Sequence, residues 1–314
     1  MRIFSIFFIC LPLTIAYALC ELSDKFHIAE LAVHWRMHFA AIALIFTIIF
    51  IFSKNIMVSV WLLALTLALG IPAMKTLESA KPPRGKEITK IKILQYNILY
   101  NNKNFREDIK WMVKQKADII ILQEINRDRA TELRPLIKYY PWSKIKINKN
   151  RDAFGMAIFS SLPVNSFRYI NINDGWNKYS VTDFFVSGQN IRMYELHTPP
   201  PMSKEFFEQR NINLELMAKL LEKDRSTYRI LIGDFNSTIY SPYLQNVIKR
   251  GYMNHSQQGF NLSGTWPKFM PSPFRIAIDH LFTSKQIEIV KRSVLPYGDS
   301  DHLPVLTELK IYKE

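Results

Sequence analysis

Residues 229–236 read RILIGDFN, an apolar run that ends in Gly233, Asp234, Phe235 and Asn236. Arg229–Ile232 is short and rich in Ile and Leu, as a buried strand is, and its end delivers two polar side chains, Asp234 and Asn236. The arrangement recurs. Gln95-Tyr96-Asn97, Gln123-Glu124, Glu195-Leu196-His197-Thr198, Ile278-Asp279-His280 and Ser300-Asp301-His302 each end or follow a predicted strand. Strand ends can project polar side chains from one rim of a sheet into a shared cleft. Singly, each motif has an ordinary explanation. Glu124 could cap the following helix, Asp234 and Asn236 are frequent turn formers, and His197 before Pro199, Pro200 and Pro201 could simply end a strand. Six in order ask for a joint one.

Around these motifs, short β-type runs alternate with amphipathic helices. Ile91–Tyr96, Asp118–Gln123, Gly155–Ser160, Val164–Ile172, Tyr179–Val186, Ile191–Leu196, Ile276–Phe282 and Val305–Ile311 read as further strands. Phe105–Gln115 reads as a helix with Ile109, Met112 and Val113 on one face. Ser203–Glu222 is a long helix turning Phe207, Leu214, Met217 and Leu221 to the core. Many strands with few helices over about 225 residues suit a two-sheet sandwich with helices outside.

The motif set supplies Glu124, Asp234, Asn236 and Asp301, hard oxygen ligands of the kind Mg²⁺ or Mn²⁺ prefers. It adds His197, His302 and a further carboxylate, Asp279. Metal-assisted attack of water on a phosphate needs these parts: a cation, a general base, and groups that stabilise charge on phosphoryl oxygens.

From Ile91 to Ile311 the chain resembles the endonuclease/exonuclease/phosphatase superfamily, also called deoxyribonuclease-I-like. The resemblance rests on Asn97, Gln123-Glu124, the run Gly155–Ser160, His197, Gly233-Asp234-Phe235-Asn236, Asp279 and Ser300-Asp301-His302, in the family's order. It implies a four-layer α/β/β/α sandwich with the site at one end of the sheets. It implies Glu124 as principal metal ligand, with Asn97 and Asp301 close to the ion. Asp234 and Asn236 resemble the pair that positions water, phosphate or a second metal. His302 resembles the catalytic histidine, with Asp279 fixing its tautomer, and His197 the histidine that donates to a phosphoryl oxygen. Either His302 or Asp234 could take the proton from water. His280 stands where many members have Tyr, and a rim or core position is expected for it. Trp266, in Gly264-Thr265-Trp266-Pro267, lines the substrate pocket in this reading, or else forms a packed aromatic turn.

Ahead of this domain the sequence changes character. Residues 1–80 carry five basic and four acidic side chains, so of the net charge of +14 about +13 belongs to residues 81–314. The mean hydropathy of −0.04 averages two unlike pieces. Three uncharged apolar runs, Ile3–Cys20, Met37–Ser53 and Ile56–Met74, fill the first piece. A span needs roughly 17–25 apolar residues. The second and third runs, separated only by Lys54 and Asn55, therefore predict a transmembrane hairpin over 37–74. Residues 1–20 read as a secretory signal, with Ala16-Tyr17-Ala18 as cleavage site, or equally as a first span. Residues 75–90 carry Pro82-Pro83, Gly85 and alternating charge, an extended linker before a catalytic domain over 91–314. Both cysteines, Cys10 and Cys20, lie in the first 20 residues, and no Cys/His cluster has zinc spacing.

The positive-inside rule places the domain in the cytoplasm if three spans are retained. The signal-like start argues the opposite, and the reading leans to the extracytoplasmic side of a plasma or inner membrane. Strongly basic charge points to an anionic partner. The reading is thus a membrane-anchored, Mg²⁺- or Mn²⁺-dependent phosphoesterase acting on a lipid-linked or membrane-proximal phosphate. A nuclease on the same scaffold is the alternative, and a catalytically dead membrane-tethered binding module a third. The lipid bilayer and a phosphorylated substrate are the implied partners; no protein partner follows from the sequence.

Overall fold

Ile119-Ile120-Ile121-Leu122 has no polar face, and both of its faces are buried. A computed structural model of the chain describes residues 6–103, 105–148, 152–172, 177–259 and 262–313. In it, strand β2 (Ile119–Gln123) lies inside a six-stranded sheet with β1 (Lys86–Asn97), β3 (Trp142–Lys146), β4 (Met156–Ser160), β11 (Ile287–Val294) and β12 (Val305–Lys313), in the order β11-β12-β1-β2-β4-β3. The second sheet comprises β5 (Val164–Asn171), β6 (Lys178–Val186), β7 (Gln189–Leu196), β8 (Tyr228–Asp234), β9 (Asn254–His255) and β10 (Asp279–Thr283), in the order β5-β6-β7-β8-β10-β9. Both sheets are mixed, because β1 runs parallel to β2 and β7 parallel to β8.

The two-residue period of a strand decides the layers. Ile91, Ile93, Ile119, Ile121 and Ile158 face Met193, Ile230, Ile232 and Leu281 across the sandwich. The alternate residues Leu94, Tyr96, Ile120 and Leu122 meet Phe105, Ile109 and Met112. On the other side, Leu196, Leu231 and Phe282 meet Leu214, Met217, Leu221, Leu244 and Val247. Helices therefore cover both outer faces: Phe105–Lys114 and the short Arg127–Glu132 on one, Lys204–Lys223 and Pro242–Gly251 on the other.

Among the described residues, a π-helical turn (Ile6–Cys10) and four α-helices precede the sandwich: α1 (Leu11–Glu21), α2 (His27–Val33), α3 (Arg36–Phe52) and α4 (Ile56–Lys75); the four just described are α5 to α8 in chain order. Among the described residues α4 is long and apolar enough to cross a membrane, and α2 with α3 passes only as one pair bent by 63°. Leu13, Ala43, Val58, Leu62 and Leu65 pack these helices on one another. Ile45, Ile49, Phe52, Met57, Val60 and Trp61 instead point outward and are exposed.

Two parts of this region depart from the sequence reading. Helix α2 is not legible in the sequence, because its partner is the distant catalytic domain rather than a neighbouring run. His27 Nε2 lies 2.5 Å from the Pro201 carbonyl, and Tyr243 donates to the Asp24 carbonyl at 2.8 Å. The 75–90 linker is also no free tether. Leu77 is fully buried and accepts from the Gly259 amide, Ala80 donates to Gln258, and Lys86–Lys90 belong to β1, paired with β12. A segment without apolar periodicity is ordered here by backbone partners far along the chain.

Candidate active site

Each motif reaches one end of the sandwich on a different strand. Asn97 ends β1, Glu124 follows β2, His197 follows β7, Asp234 ends β8, Asp279 opens β10, and Asp301 and His302 precede β12. Antiparallel register sets Asp279 directly opposite Asp234. Gly233, before Asp234, has φ +155°, and a Cβ there would stand 1.8 Å from the Leu196 carbonyl oxygen. Only glycine lets β8 pass so close to the end of β7.

The polar side chains form one network. Asn97 Nδ2 donates at 3.0 Å to both Glu124 Oε1 and Asp234 Oδ2. Glu124, itself in the left-handed region at φ +63°, accepts from the Tyr100 amide through Oε2. Asp234 Oδ1 accepts from the Asn236 amide at 2.8 Å, and Asn236 Nδ2 donates to the Thr198 carbonyl. Ser300 pins the last loop: its hydroxyl donates to the Asn97 carbonyl and accepts from the His302 amide. Asp301 Oδ2 accepts from Trp266 Nε1 at 3.1 Å, which sets the indole beside the predicted ligands.

His302 stands between two carboxylates, Asp279 Oδ2 at 2.9 Å from Nδ1 and Asp234 Oδ2 at 3.6 Å from Nε2. Burial alone favours the neutral ring, but Asp279 and Asp234 outweigh it and lift the imidazole to about 10. Asp279 is held low by the His302 charge despite its own burial. Asp234 is lifted by burial and by the Asp279 charge. His197 differs. Its Nε2 is 3.8 Å from Asp234, its ring stacks on Phe154 at 5.0 Å, and burial followed by the His302 charge pushes it down to about 3. It is a neutral imidazole, able to donate a hydrogen bond without carrying charge.

Glu124 is lifted by burial, with the Asp301 charge adding to the effect. With Asp234 and Asp279 these are four carboxylates around one cleft, and the cation among them is His302. Such crowding suits a divalent metal, which compensates negative charge and is bound by hard oxygen donors. Ligand atoms of Asp234, Asp279 and His302 also lie within 4.8 Å of one another. Asp279 and His302 are engaged with each other in that group; Glu124, Asp301 and Asp234 offer further carboxylate oxygens, whereas Asn97 turns its amide N–H towards Glu124 and Asp234 and its Oδ1 accepts from the Leu99 amide.

The sequence reading gave no role to the shell behind the site. Glu195, on β7, is buried, accepts from Gln123 Nε2 at 3.2 Å, and is raised to about 8 by burial. Buried Arg292 donates to the Asp279 carbonyl from β11. Arg210, with no exposure, donates to the Asn236 carbonyl from α7. Its position three residues after Phe207 and four before Leu214 was the available signal: an arginine on the apolar face of a helix. His280 is fully buried against the Ser237 carbonyl, held neutral by burial, and takes no place in the cleft.

Residues 94–302 match the endonuclease/exonuclease/phosphatase family. No curated protein matches the chain. Solved structures with the same fold include an endonuclease/exonuclease/phosphatase family protein from Bacteroides thetaiotaomicron. It is 18% identical, with a TM-score of 0.58 over 72% of this chain and 99% of that one. A sphingomyelinase C from Streptomyces griseocarneus is 16% identical, with a TM-score of 0.53 over 70% and 99%. A mannosyl-6-phosphatase from Bacteroides thetaiotaomicron is 18% identical, with a TM-score of 0.56 over 70% and 99%. With the family match over residues 94–302 spanning every strand-end motif, the chain belongs to the endonuclease/exonuclease/phosphatase family and is a metal-dependent hydrolase of phosphoester bonds.

Proposed function

We propose that the protein is a membrane-anchored phosphoesterase whose substrate is a phosphorylated lipid or another lipid-linked phosphate or pyrophosphate. The observation that carries this reading is the docking of an apolar helical hairpin beside the rim of the cleft. His38 Nε2, in the first turn of α3, lies 2.8 Å from the Pro273 carbonyl. A cavity of about 400 Å³ opens between Met37 and Ala41 of α3 and Leu262, Pro273 and Ile276 of the catalytic domain. Ile276 pairs with Trp266, whose indole holds Asp301, so this cavity and the cleft share a wall. Phe269, Phe274 and Leu262 are exposed nearby in sequence, which suits contact with a bilayer surface. The outward apolar side chains of α3 and α4 support insertion, since contiguous apolar patches are rare on soluble monomers.

In this reading Glu124, Asn97 and Asp301 hold Mg²⁺ or Mn²⁺, with Asp234 beside them. The ion would neutralise charge on the phosphoryl oxygens. Asn236 and His197 bind the phosphate, His197 through a neutral N–H, and Trp266 lines the pocket. Of the two candidate bases, Asp234 is the fitter acceptor of the water proton, because His302 already holds one between Asp279 and Asp234. The charged His302 then faces the phosphoryl group as negative charge develops. The domain lies on the extracytoplasmic side.

The basic domain also favours a nuclease, because phosphate backbones attract dispersed Lys and Arg. One assay separates the two. The full chain in detergent with Mg²⁺ should hydrolyse isoprenyl pyrophosphate or phosphoinositides, and Glu124→Ala and His302→Ala should not. Cleavage of plasmid DNA alone would overturn the lipid reading. Inertness towards both lipids, DNA and a simple phosphodiester would overturn the enzymatic one. Anchoring requires that the chain stay with membranes in alkaline carbonate. A carboxy-terminal reporter active only in the cytoplasm would contradict the stated side.

A further inference from the structure

Helix α2 does more than join two apolar runs. Glu30 at its centre is fully buried, and so is Arg210 of α7. The guanidinium donates to Glu30 Oε1 from NH2 at 2.8 Å and to Oε2 from NH1 at 2.9 Å. Ser241 donates to Oε1 at 2.7 Å, and His34 Nε2 stands 3.1 Å from Oε2, with its Nδ1 3.1 Å from Thr238 Oγ1. The same Arg210 NH1 reaches the Asn236 carbonyl at 3.3 Å. Asn236 sits in the left-handed region at φ +44°, which asparagine tolerates better than most non-glycine residues. Its amide is fixed by Asp234 and its side chain by Thr198. The third restraint on this residue therefore comes from the segment ahead of the membrane hairpin.

We infer that Glu30 is a positioning residue of the active site: α2, through Arg210, fixes the Asn236 loop, so the membrane-side segment is part of the catalytic apparatus rather than an anchor alone. The inference rests on the reading of Asn236 as a phosphate-positioning group. Two features carry it. The ion pair is wholly desolvated, which makes it intolerant of losing one partner. It is also bidentate, and the nitrogen that meets Glu30 Oε2 is the one that donates to the Asn236 carbonyl, so the carboxylate that orients Arg210 orients the donor to Asn236. The isolated catalytic domain would keep Arg210 and lose its counter-charge.

The test uses the full chain in detergent with Mg²⁺. Glu30→Gln keeps the shape and removes the charge, and it should lower kcat about tenfold to a hundredfold, the range for losing a charged hydrogen bond, while KM changes less than threefold. Glu30→Asp should recover part of kcat. Since Glu30→Gln strands a buried cation and could unfold the protein, the deciding variant is Glu30→Gln with Arg210→Met. Neutral replacement of a buried pair is commonly tolerated. That double variant should melt near wild type and still show the kcat loss, because the donor to Asn236 is gone. A stable double variant with wild-type kcat would overturn the inference. If the wild type hydrolyses nothing, the functional reading falls, and the Asn236 amide resonance in ¹⁵N-asparagine-labelled chain decides the positioning. The double variant should shift it clearly, and an unmoved resonance refutes the coupling.

Discussion

Asp279→Asn removes one charge and almost no volume. In the wild type Asp279 Oδ2 lies 2.9 Å from His302 Nδ1, with both groups buried. A charge-assisted hydrogen bond of this kind contributes about 1.5–3 kcal/mol. At about 1.4 kcal/mol per unit, its loss should bring His302 down from about 10 by roughly one to two units. Asp234, 3.6 Å from the other ring nitrogen, keeps the rest of the shift. Histidine-selective labelling and an NMR titration of the full chain in micelles with EDTA would read this directly. Stability follows with a definite sign. The folded value of His302 lies above its unfolded value of about 6.5, so its contribution is complete below about pH 6.5 and is lost as pH rises towards about 10. The melting-temperature gap between wild type and Asp279→Asn should therefore stay level from about pH 5 up to the variant's own His302 value, about 8–9, and close between there and about pH 10. Turnover should fall about 10²- to 10⁴-fold, the range for a disordered acid–base group. An unshifted His302, or a gap that widens with pH, would refute the assignment of Asp279 as the partner that charges and orients this ring.

Glu124→Gln should abolish the stabilisation expected from Mg²⁺, about 2.7 kcal/mol at a hundredfold excess over Kd, read as a rise in melting temperature. Because burial lifts the folded value of Glu124, its ionisation opposes folding as pH rises above the unfolded value. The metal-free variant should thus melt no lower than wild type at pH 7, and a lower melting point would contradict this. His197→Ala should cut kcat about 10²- to 10³-fold. The wild-type rate should show no limb from His197 between pH 5 and 8, since burial holds that ring neutral. Gly233→Ala would drive a methyl into the Leu196 carbonyl, and a loss of about 3 kcal/mol or more in urea denaturation is expected.

The parts legible in the sequence were those whose signal is local. The buried run Ile119–Leu122, the apolar stripe of α7 and the polar strand ends all announce themselves within a few residues. Elements held by remote partners did not. Strand β3 is a basic stretch paired with β4, β11 is interrupted by Lys291 and Arg292, and Lys86–Lys90 looks like linker until β12 is laid beside it. Of the expected Ile276–Phe282 strand, Asp279–Phe282 pairs in the sheet, where the strand continues to Thr283, while Ile276 bridges to Trp266. The strand-end residues that converge at one end of the sandwich could be named because six polar motifs stood in order, although each alone had an ordinary explanation. Glu30 could not, because an isolated acidic residue among apolar runs gives no hint that an arginine on another helix faces it.

The pairing of β1 with β12 has a consequence for how the molecule is made. These neighbours come from opposite ends of the catalytic domain, with Lys86 opposite Lys313. During synthesis the first sheet must wait with one side of β1 open until the final strand emerges, and contacts of such long sequence separation form slowly. Asp301 and His302 arrive with that same strand. On the proposed role of His302, a nascent chain would remain unable to hydrolyse anything until β12 has emerged and paired with β1, so activity itself reports that the domain has closed.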